Sequence, residues 1–566
     1  ANLLVSAAAG SGKTAVLVER ILQLISEDHV PIKNMLIVTF TNAAAGEMRT
    51  RIIRALSKKL RAPGAEVEWL REQLEGAGSA YIMTLHAFCS DLVRKHFYKV
   101  DMDPSFRVGD AALLKALREE AAMMTLESAY EAMTPDFSIF IEAFSGNRTD
   151  EKIEGLLWNV HSFIQSQPEP EAWLTRQTQA LEVDSSENSH WLRSLLNMIS
   201  DELAALIASY EEALTLCQHP AGPQAYLTAA EDDLAQLEAL KDSIEEGYAY
   251  AYETLAGVKF EKLKPVRIAE GDLLSAELKT AVQDRRDMVK DYVKRMSKHF
   301  FSQDPEALDT SIRNLLPGTR ALCQLVLALE ENYGALKKEA GVIDFYDLEH
   351  LAIEILKDPE IAGMNRLKFE HIFLDEYQDS NLVQETVIRA IAREDNVFLV
   401  GDVKQSIYKF RLADPTLFMD KLNRFSRATS AKDRIIDLSA NFRSRPALLE
   451  RVNGFFRSVM SQSLGEVHYD VHARLNPGLH FPESPVPCLS LTLVDTGKAS
   501  AEDGLEGTMI QNEVGGADAS DPELEEALSY MKNAELEAHV VAGMIKDTLK
   551  TDLYDPKLQT VRPPRF

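Results

Sequence analysis

With 566 residues, 45% of them apolar, the chain is long enough to bury a large core and to divide into several domains rather than one. Its formal charge of −27, from 61 Lys and Arg against 88 Asp and Glu, excludes nucleic-acid binding through a global basic field, so any such path has to be basic locally. Four cysteines, Cys89, Cys217, Cys323 and Cys488, with no CxxC pair among them, exclude a disulfide framework and point to a reducing, cytoplasmic setting.

In chain order, Ala1-Asn2-Leu3-Leu4-Val5 is an apolar strand that runs straight into a turn, Ala7-Ala8-Ala9-Gly10-Ser11-Gly12-Lys13-Thr14. This abrupt start leads us to expect that the natural N-terminus lies upstream. After Lys13, Val16, Leu17, Ile21, Leu24 and Ile25 recur at helical spacing, giving strand, loop and helix. Further short apolar runs at 35–40, 371–374 and 397–400 read as buried parallel strands, each ending in small, polar or acidic residues where a ligand site opens. From about 110 to 338 strand signals vanish and helical patterns take over, at 111–130, 191–216 and 272–300, broken at Pro220, Gly222, Pro223 and Pro265. Residues 321–329, the best membrane-span candidate, are too few to cross a bilayer and read as a core-facing helix. A fresh strand at 435–438 predicts the opening of a second α/β segment. Residues 496–522, rich in Gly, Ala, Asp, Glu and Ser, read as a mobile loop before the terminal Pro563-Pro564.

The chemistry sits at the strand ends. Glycines in a turn between strand and helix let backbone N–H groups face phosphates; Lys13 then reaches the β and γ phosphates of a nucleotide, and the Thr14 hydroxyl holds Mg²⁺. An accidental Gly-Lys-Thr is the alternative, favoured by Ala7 in place of the usual first glycine. Phe373-Leu374-Asp375-Glu376-Tyr377-Gln378-Asp379 puts two adjacent carboxylates after a buried strand: Asp375 suits Mg²⁺, and Glu376 suits orienting and deprotonating water. Asp379 reads instead as a cap of the following helix. In the segment 400–411, Gln405 suits sensing the γ-phosphate through the attacking water. Tyr408 and Phe410 alternate there with Lys409 and Arg411, a pattern for base stacking beside phosphate contacts. Arg443 in Leu438-Ser439-Ala440-Asn441-Phe442-Arg443-Ser444 is a candidate for stabilising a transferred phosphoryl from a second domain, with Phe442 stacked on adenine. Arg286, Lys290, Lys294 and Lys298 recur every fourth residue as a basic stripe for duplex phosphates; the competing reading is a solvated face balanced by Asp284, Asp287 and Asp291.

These segments, in this order, resemble the motor motifs of the UvrD, Rep and PcrA helicases of superfamily one. Thr39-Phe40-Thr41-Asn42-Ala43-Ala44-Ala45-Gly46-Glu47-Met48 and Thr84-Leu85-His86-Ala87-Phe88 resemble two further motifs of that family, which contact single-stranded DNA. By the resemblance Ala7 is ordinary. Leu4-Val5-Ser6-Ala7-Ala8-Ala9, Tyr377, Lys404 and Phe410-Arg411-Leu412 are most similar to the AddA group of helicase-nuclease subunits, related to RecB. The match covers most of 1–42, 79–99 and 341–453.

The resemblance implies an α/β, RecA-like P-loop motor domain in two parts, 1–109 and 339–430. A helical accessory domain would be inserted at 110–338, and the start of a second, incomplete RecA-like domain would occupy 431–566. It further implies ATP and Mg²⁺ bound by residues 7–14, Asp375 and Phe442, with Lys13, Asp375, Glu376, Gln405 and Arg443 catalytic. DNA contacts would fall at Phe40, Thr41, Asn42, Thr84, His86, Tyr408, Phe410 and Arg411. Translocation would run 3′ to 5′ on single-stranded DNA, with single-stranded and duplex DNA as partners in double-strand break repair, by a cytoplasmic, nucleoid-associated heterodimer with an AddB-like partner. Later motor motifs and a C-terminal nuclease would lie outside this sequence. A non-catalytic ATP-binding scaffold, or a repair helicase without nuclease, are the alternatives.

Overall fold

The computed structural model describes residues 1–144, 150–182, 185–461, 467–481, 489, 491–494, 533–550, 553–555 and 560–562. Cys488, the whole of the expected loop at 496–522 and Pro563-Pro564 fall outside them. The chain divides into two compact units, one of Ala1–Leu438 with Val459–Ala473 and one of Ser439–Ser458 with Arg474–Phe566.

The first unit is built on a six-stranded parallel sheet. Its strands are β1 (Asn2–Ala7), β2 (Met35–Thr39), β3 (Tyr81–Thr84), β6 (His371–Leu374), β7 (Val397–Gly401) and β8 (Asp433–Leu438), in the spatial order β3-β2-β6-β7-β1-β8. A two-residue pair, β4 (Arg107–Val108) with β5 (Val342–Ile343), lies between the third and fourth of these in sequence. Parallel strands covered on both faces are apolar at successive positions, with alternate side chains going to opposite sides. Here Leu4, Leu36, Ile372 and Leu399 enter one core, while their chain neighbours Val5, Ile37, Phe373 and Phe398 enter the other. The second core is closed by α1 (Lys13–Ser26), α2 (Asn42–Leu60) and α3 (Val67–Gly76). The first core is closed by α4 (Leu85–Lys95), by α14 (Phe345–Leu356) and α15 (Pro359–Lys368), and by α16 (Leu382–Ile391) and α17 (Thr416–Arg424).

Between β4 and β5 the described residues form helices α5 (Ala111–Ala132), α6 (Pro135–Phe144), α7 (Glu151–Ile164), α8 (Pro170–Gln179), α9 (His190–Gln218), α10 (Leu227–Glu246), α11 (Tyr248–Gly257), α12 (Leu273–His299) and α13 (Pro305–Glu339). They enclose two cores. Leu117, Phe140, Leu157, Leu325 and Leu329 lie in one, and Leu203, Tyr210, Leu237, Val289 and Val293 in the other. Ala321, Leu325, Val326 and Leu329 of α13 are buried as a core-facing stripe, and among the described residues no helix is long and apolar enough to cross a membrane.

Two expectations are corrected here. The strand at 435–438 does not open a second sheet, because β8 pairs along its whole length with β1, from Asn2 with Asp433 to Ala7 with Leu438. An apolar run announces a strand but not its partner, and without β8 the N–H and C=O groups on that side of β1 would be unpaired. The basic stripe loses its first member, since Arg286 is 2% exposed and occupies a position in the buried series Val282, Arg286, Val289, Val293, Met296. Four-residue steps on a helix of 3.6 residues per turn drift by about 40° each, so a row that starts in the core at Arg286 winds away from it.

The second unit, taken by itself, holds α18 (Pro446–Val459) and a two-residue parallel pair, β9 (Ala440–Asn441) with β10 (Asn476–Pro477). Asn453, buried, donates to the Leu475 carbonyl and accepts from its N–H at 2.9 and 3.0 Å. A helix, Asn533–Thr548, and an antiparallel pair, Leu553–Asp555 with Thr560–Arg562, complete its described part.

Candidate nucleotide and nucleic-acid site

The turn after β1 begins where the Ala8 N–H donates to the Leu438 carbonyl at 2.8 Å. Gly10 and Gly12 adopt φ of 70° and 85°, conformations costly for residues with a Cβ, and Gly12 leads into α1 with no acidic residue in its first turn. The N-terminal N–H groups of α1 thus keep a positive end without a side-chain counter-charge. Ser11 Oγ is buried without a hydrogen-bond partner among the described residues. Ala7 is fully buried in the core beneath the turn, whereas Ala9, Gly10, Lys13 and Thr14 are partly exposed. An orphaned hydroxyl, a helix N-terminus and a lysine around one turn fit the phosphates of a nucleotide.

Lys13 Nζ donates to Glu376 Oε2 at 2.8 Å and to Gln405 Oε1 at 3.4 Å. These contacts join the turn after β1 to the segments after β6 and β7, at the carboxyl ends of neighbouring strands, where open parallel sheets place their ligands. Glu376 sits at φ 54°, in the left-handed region, and backbone strain at a residue without glycine's freedom collects at functional positions. Asp375 donates its N–H to the Val38 carbonyl at 3.0 Å, and its carboxyl is pushed up to about 6 by burial and then by the adjacent Glu376. A buried carboxyl destabilised in this way is a fitting donor for a divalent cation. Asp379 is likewise pushed up to about 6, by burial and then by Glu376, and its Oδ1 is buried without a partner among the described residues. It does not cap the next helix as expected: Asn381 does so, accepting from the Gln384 N–H at 2.8 Å.

Gln378, to which the sequence alone assigns no role, organises the acids. Its Nε2 donates to Glu376 Oε2 at 2.9 Å and to Asp379 Oδ2 at 3.2 Å, while its Oε1 accepts from the Asp402 N–H at 3.0 Å. Gly401 makes room for it, since a Cβ there would stand 2.4 Å from Gln378 Oε1 and 2.9 Å from the Phe418 ring. Asp402, fully buried, pairs with Lys404 at 2.7 Å and accepts from Gln405 Nε2 at 2.8 Å, which fixes the Gln405 carboxamide with its oxygen toward Lys13. No signal in the sequence separates Gln378 from any other glutamine; its role emerges only when three strand ends meet.

The expected nucleic-acid residues fall into two groups. Phe40 and Tyr408 stack, with ring centroids 5.0 Å apart and planes 21° apart, and Phe410 follows at 6.0 Å from Tyr408. The Arg411 guanidinium lies 5.3 and 5.6 Å from the Tyr408 and Phe410 rings. Phe410 is 76% exposed and Phe40 43%, so this is an aromatic surface rather than core. Thr41 and Thr84 are both N-caps, accepting from the Ala44 N–H at 3.1 Å and the Ala87 N–H at 3.3 Å, so their hydroxyls are engaged locally; Asn42 is exposed at the start of α2. The second group centres on His86, whose Nε2 lies 3.3 Å from Glu349 Oε1 and whose ring meets the Phe345 edge at 5.1 Å.

Phe442 and Arg443 belong to the second unit. Phe442 is 52% exposed and lies over Gly478, where a Cβ would be 2.7 Å from the ring; the Arg443 and Ser444 N–H groups donate to Asn441 Oδ1 at 2.8 and 2.7 Å.

The chain is similar to known proteins. The family described as UvrD/REP helicase N-terminal domain matches residues 1–426. The chain is 41% identical over 563 residues to an ATP-dependent helicase/nuclease subunit from Alkaliphilus oremlandii, covering 99% of this chain and 45% of that protein. It is 38% identical over 588 residues to the protein of the same name from Syntrophomonas wolfei, covering 99% and 46%. For the protein of that name from Geobacillus thermodenitrificans the figures are 35% over 573 residues, 98% and 44%. The chain thus spans about half the length of the curated relatives it matches.

Proposed function

Since the chain belongs to the UvrD/REP helicase family, we propose that it is the motor part of an ATP-dependent DNA helicase that steps along single-stranded DNA. The observation that supports this most directly is the spacing within one short segment. Gln405, held between Asp402 and Lys13, is three residues from Tyr408 and five from Phe410 of the exposed aromatic surface, so a shift on either side is carried to the other by the same backbone.

In this reading the backbone of residues 8–12, with the Ser11 hydroxyl, cradles the phosphates of ATP. Lys13 exchanges Glu376 for the β and γ phosphates, which leaves Glu376 free to accept a proton from water. Thr14 and Asp375 would hold Mg²⁺, which when bound neutralises charge on the phosphate oxygens. Gln405 orients the attacking water. Phe40, Tyr408, Phe410 and Arg411 offer stacking and one cation to successive bases, with Asn42, His86 and the capped helix ends at Thr41 and Thr84 offering further contacts.

We extend the proposal to the longer protein. It would be the helicase-nuclease component of a cytoplasmic, nucleoid-associated heterodimer with an AddB-like partner, moving 3′ to 5′ in double-strand break repair, its nuclease residues lying elsewhere. The test is ATP hydrolysis by the full-length protein titrated with single-stranded DNA. Phe410→Ala is expected to raise the half-stimulating DNA concentration by about 5- to 100-fold, the loss of one stacked base. An unchanged titration would remove the aromatic surface from the DNA path.

A further inference from the structure

Helix α14 belongs to none of the motifs above, yet its side chains reach three elements. Its start is fixed by a reciprocal cap between Asp344 and Asp347, and both carboxylates hold the buried Lys337 of α13 at 3.1 and 2.7 Å. The helix is therefore anchored to the end of the helical insertion before it meets the motor. One turn further on is Glu349, 2% exposed. Its Oε1 lies 3.3 Å from His86 Nε2 and accepts from Gln384 Nε2 at 2.9 Å. Burial pushes this carboxyl up to about 7. A buried acid whose partners are a half-exposed imidazole and the neutral amides of Gln384 and Asn381 is a poor choice for stability alone.

Gln384 lies in the first turn of α16, the helix that directly follows the acidic segment. The next residue, Glu385, accepts from the Tyr377 hydroxyl of that segment at 2.9 Å and from Lys421 of α17 at 2.6 Å. Helix α17 itself follows the aromatic segment 408–411, and the Asp414 N–H between them donates to the Ser380 carbonyl at 2.9 Å. The first turn of α16 is thus linked by polar contacts to both groups of expected DNA contacts and to the acidic segment, through contiguous groups of the kind that can carry coupling.

We propose that Glu349 is a positioning residue for DNA-stimulated ATP hydrolysis, holding His86 against α16 so that contact of DNA with His86 is transmitted to the start of that helix beside Asp375 and Glu376. The inference rests on the motor reading above and deepens it. Glu349 does not touch DNA or nucleotide itself. One oxygen of Glu349 takes both His86 and Gln384; a side chain without that oxygen takes neither.

The test is a double-mutant cycle in the full-length protein, with ATP hydrolysis titrated against a single-stranded oligothymidylate for wild type, Glu349→Met, His86→Ala and the double variant. Glu349→Met is expected to raise the half-stimulating DNA concentration about fivefold or more. In the His86→Ala background it should add less than about a twofold further change, because the two residues act as one unit. Should Glu349→Met lower the melting midpoint, Gln384→Met, which removes the amide contact to the same oxygen, carries the same cycle. Effects that multiply, or a Glu349→Met titration that overlays wild type, overturn the role of Glu349. A wild-type protein without DNA stimulation overturns the motor reading instead.

Discussion

Replacing Glu376 by Gln in the full-length protein is expected to lower DNA-stimulated ATP hydrolysis by about 10²–10⁴-fold, the range of a lost general base. The substitution keeps the volume and the hydrogen-bonding reach of the side chain, so the contact from Gln378 Nε2 at 2.9 Å can pass to the amide oxygen. What disappears is the ability to take a proton from water. It also removes the charge that Lys13 meets at 2.8 Å, so the lysine is released toward the phosphates and nucleotide affinity should hold or rise. The measurement is steady-state hydrolysis with saturating single-stranded DNA, beside binding of a fluorescent ATP analogue. Hydrolysis within about tenfold of wild type would deny Glu376 the role of base, and lost nucleotide binding would mean that it shapes the site rather than acts on water.

Lys13, Asp375, Glu376 and Gln405 were legible in the sequence for a shared physical reason. Each follows a strand of a parallel sheet buried on both faces, and such strands read as uninterrupted apolar runs that end where polar chemistry begins. Glu376 and Gln405 do meet Lys13, and the two aromatic residues of 408–411 do lie on an exposed surface. The pairing of strands was not legible: β8 has the pattern of any buried strand, and its assignment to the first sheet depends on the free edge of β1, a partner more than four hundred residues away. Gln378 and Glu349 were missed because their roles are relational. A glutamine and a glutamate carry no mark of function until Asp402, His86 and Gln384 are brought beside them. The reading of Asp379 failed differently. Negative charge does favour a helix start, but Asp379 closes a short turn, Tyr377–Asp379, that stops before α16, and the cap falls to Asn381.

Arg286 shows what a spacing argument needs in addition to a period. Read alone, Arg286, Lys290, Lys294 and Lys298 form a stripe; read with Val282, Val289, Val293 and Met296, Arg286 occupies a core position of the same helix. Its Nε donates to Asp233 Oδ2 at 2.5 Å, and its Nη2 to Asp233 Oδ1 at 3.2 Å and to the Glu261 carbonyl at 2.6 Å. The Tyr210 hydroxyl donates to Asp233 Oδ2 at 2.7 Å, so α9, α10 and α12 converge on one carboxylate that is 0% exposed. Removing the cation alone, as in Arg286→Met, strands that charge and is expected to cost about 3–5 kcal/mol of unfolding free energy. The triple replacement Arg286→Met, Asp233→Leu and Tyr210→Phe removes both charges and the hydroxyl that would otherwise lose its acceptor, and should recover most of the loss, because a buried ion pair and an apolar group of similar volume are close in stability. Urea denaturation followed by helical circular dichroism measures both, and duplex DNA binding over a range of salt gives the opposing readout. A buried pair predicts lost stability with the salt dependence of duplex binding unchanged. Full stability together with a shallower salt slope would return Arg286 to a phosphate-contacting surface, since each phosphate contact removed lowers that slope by about one.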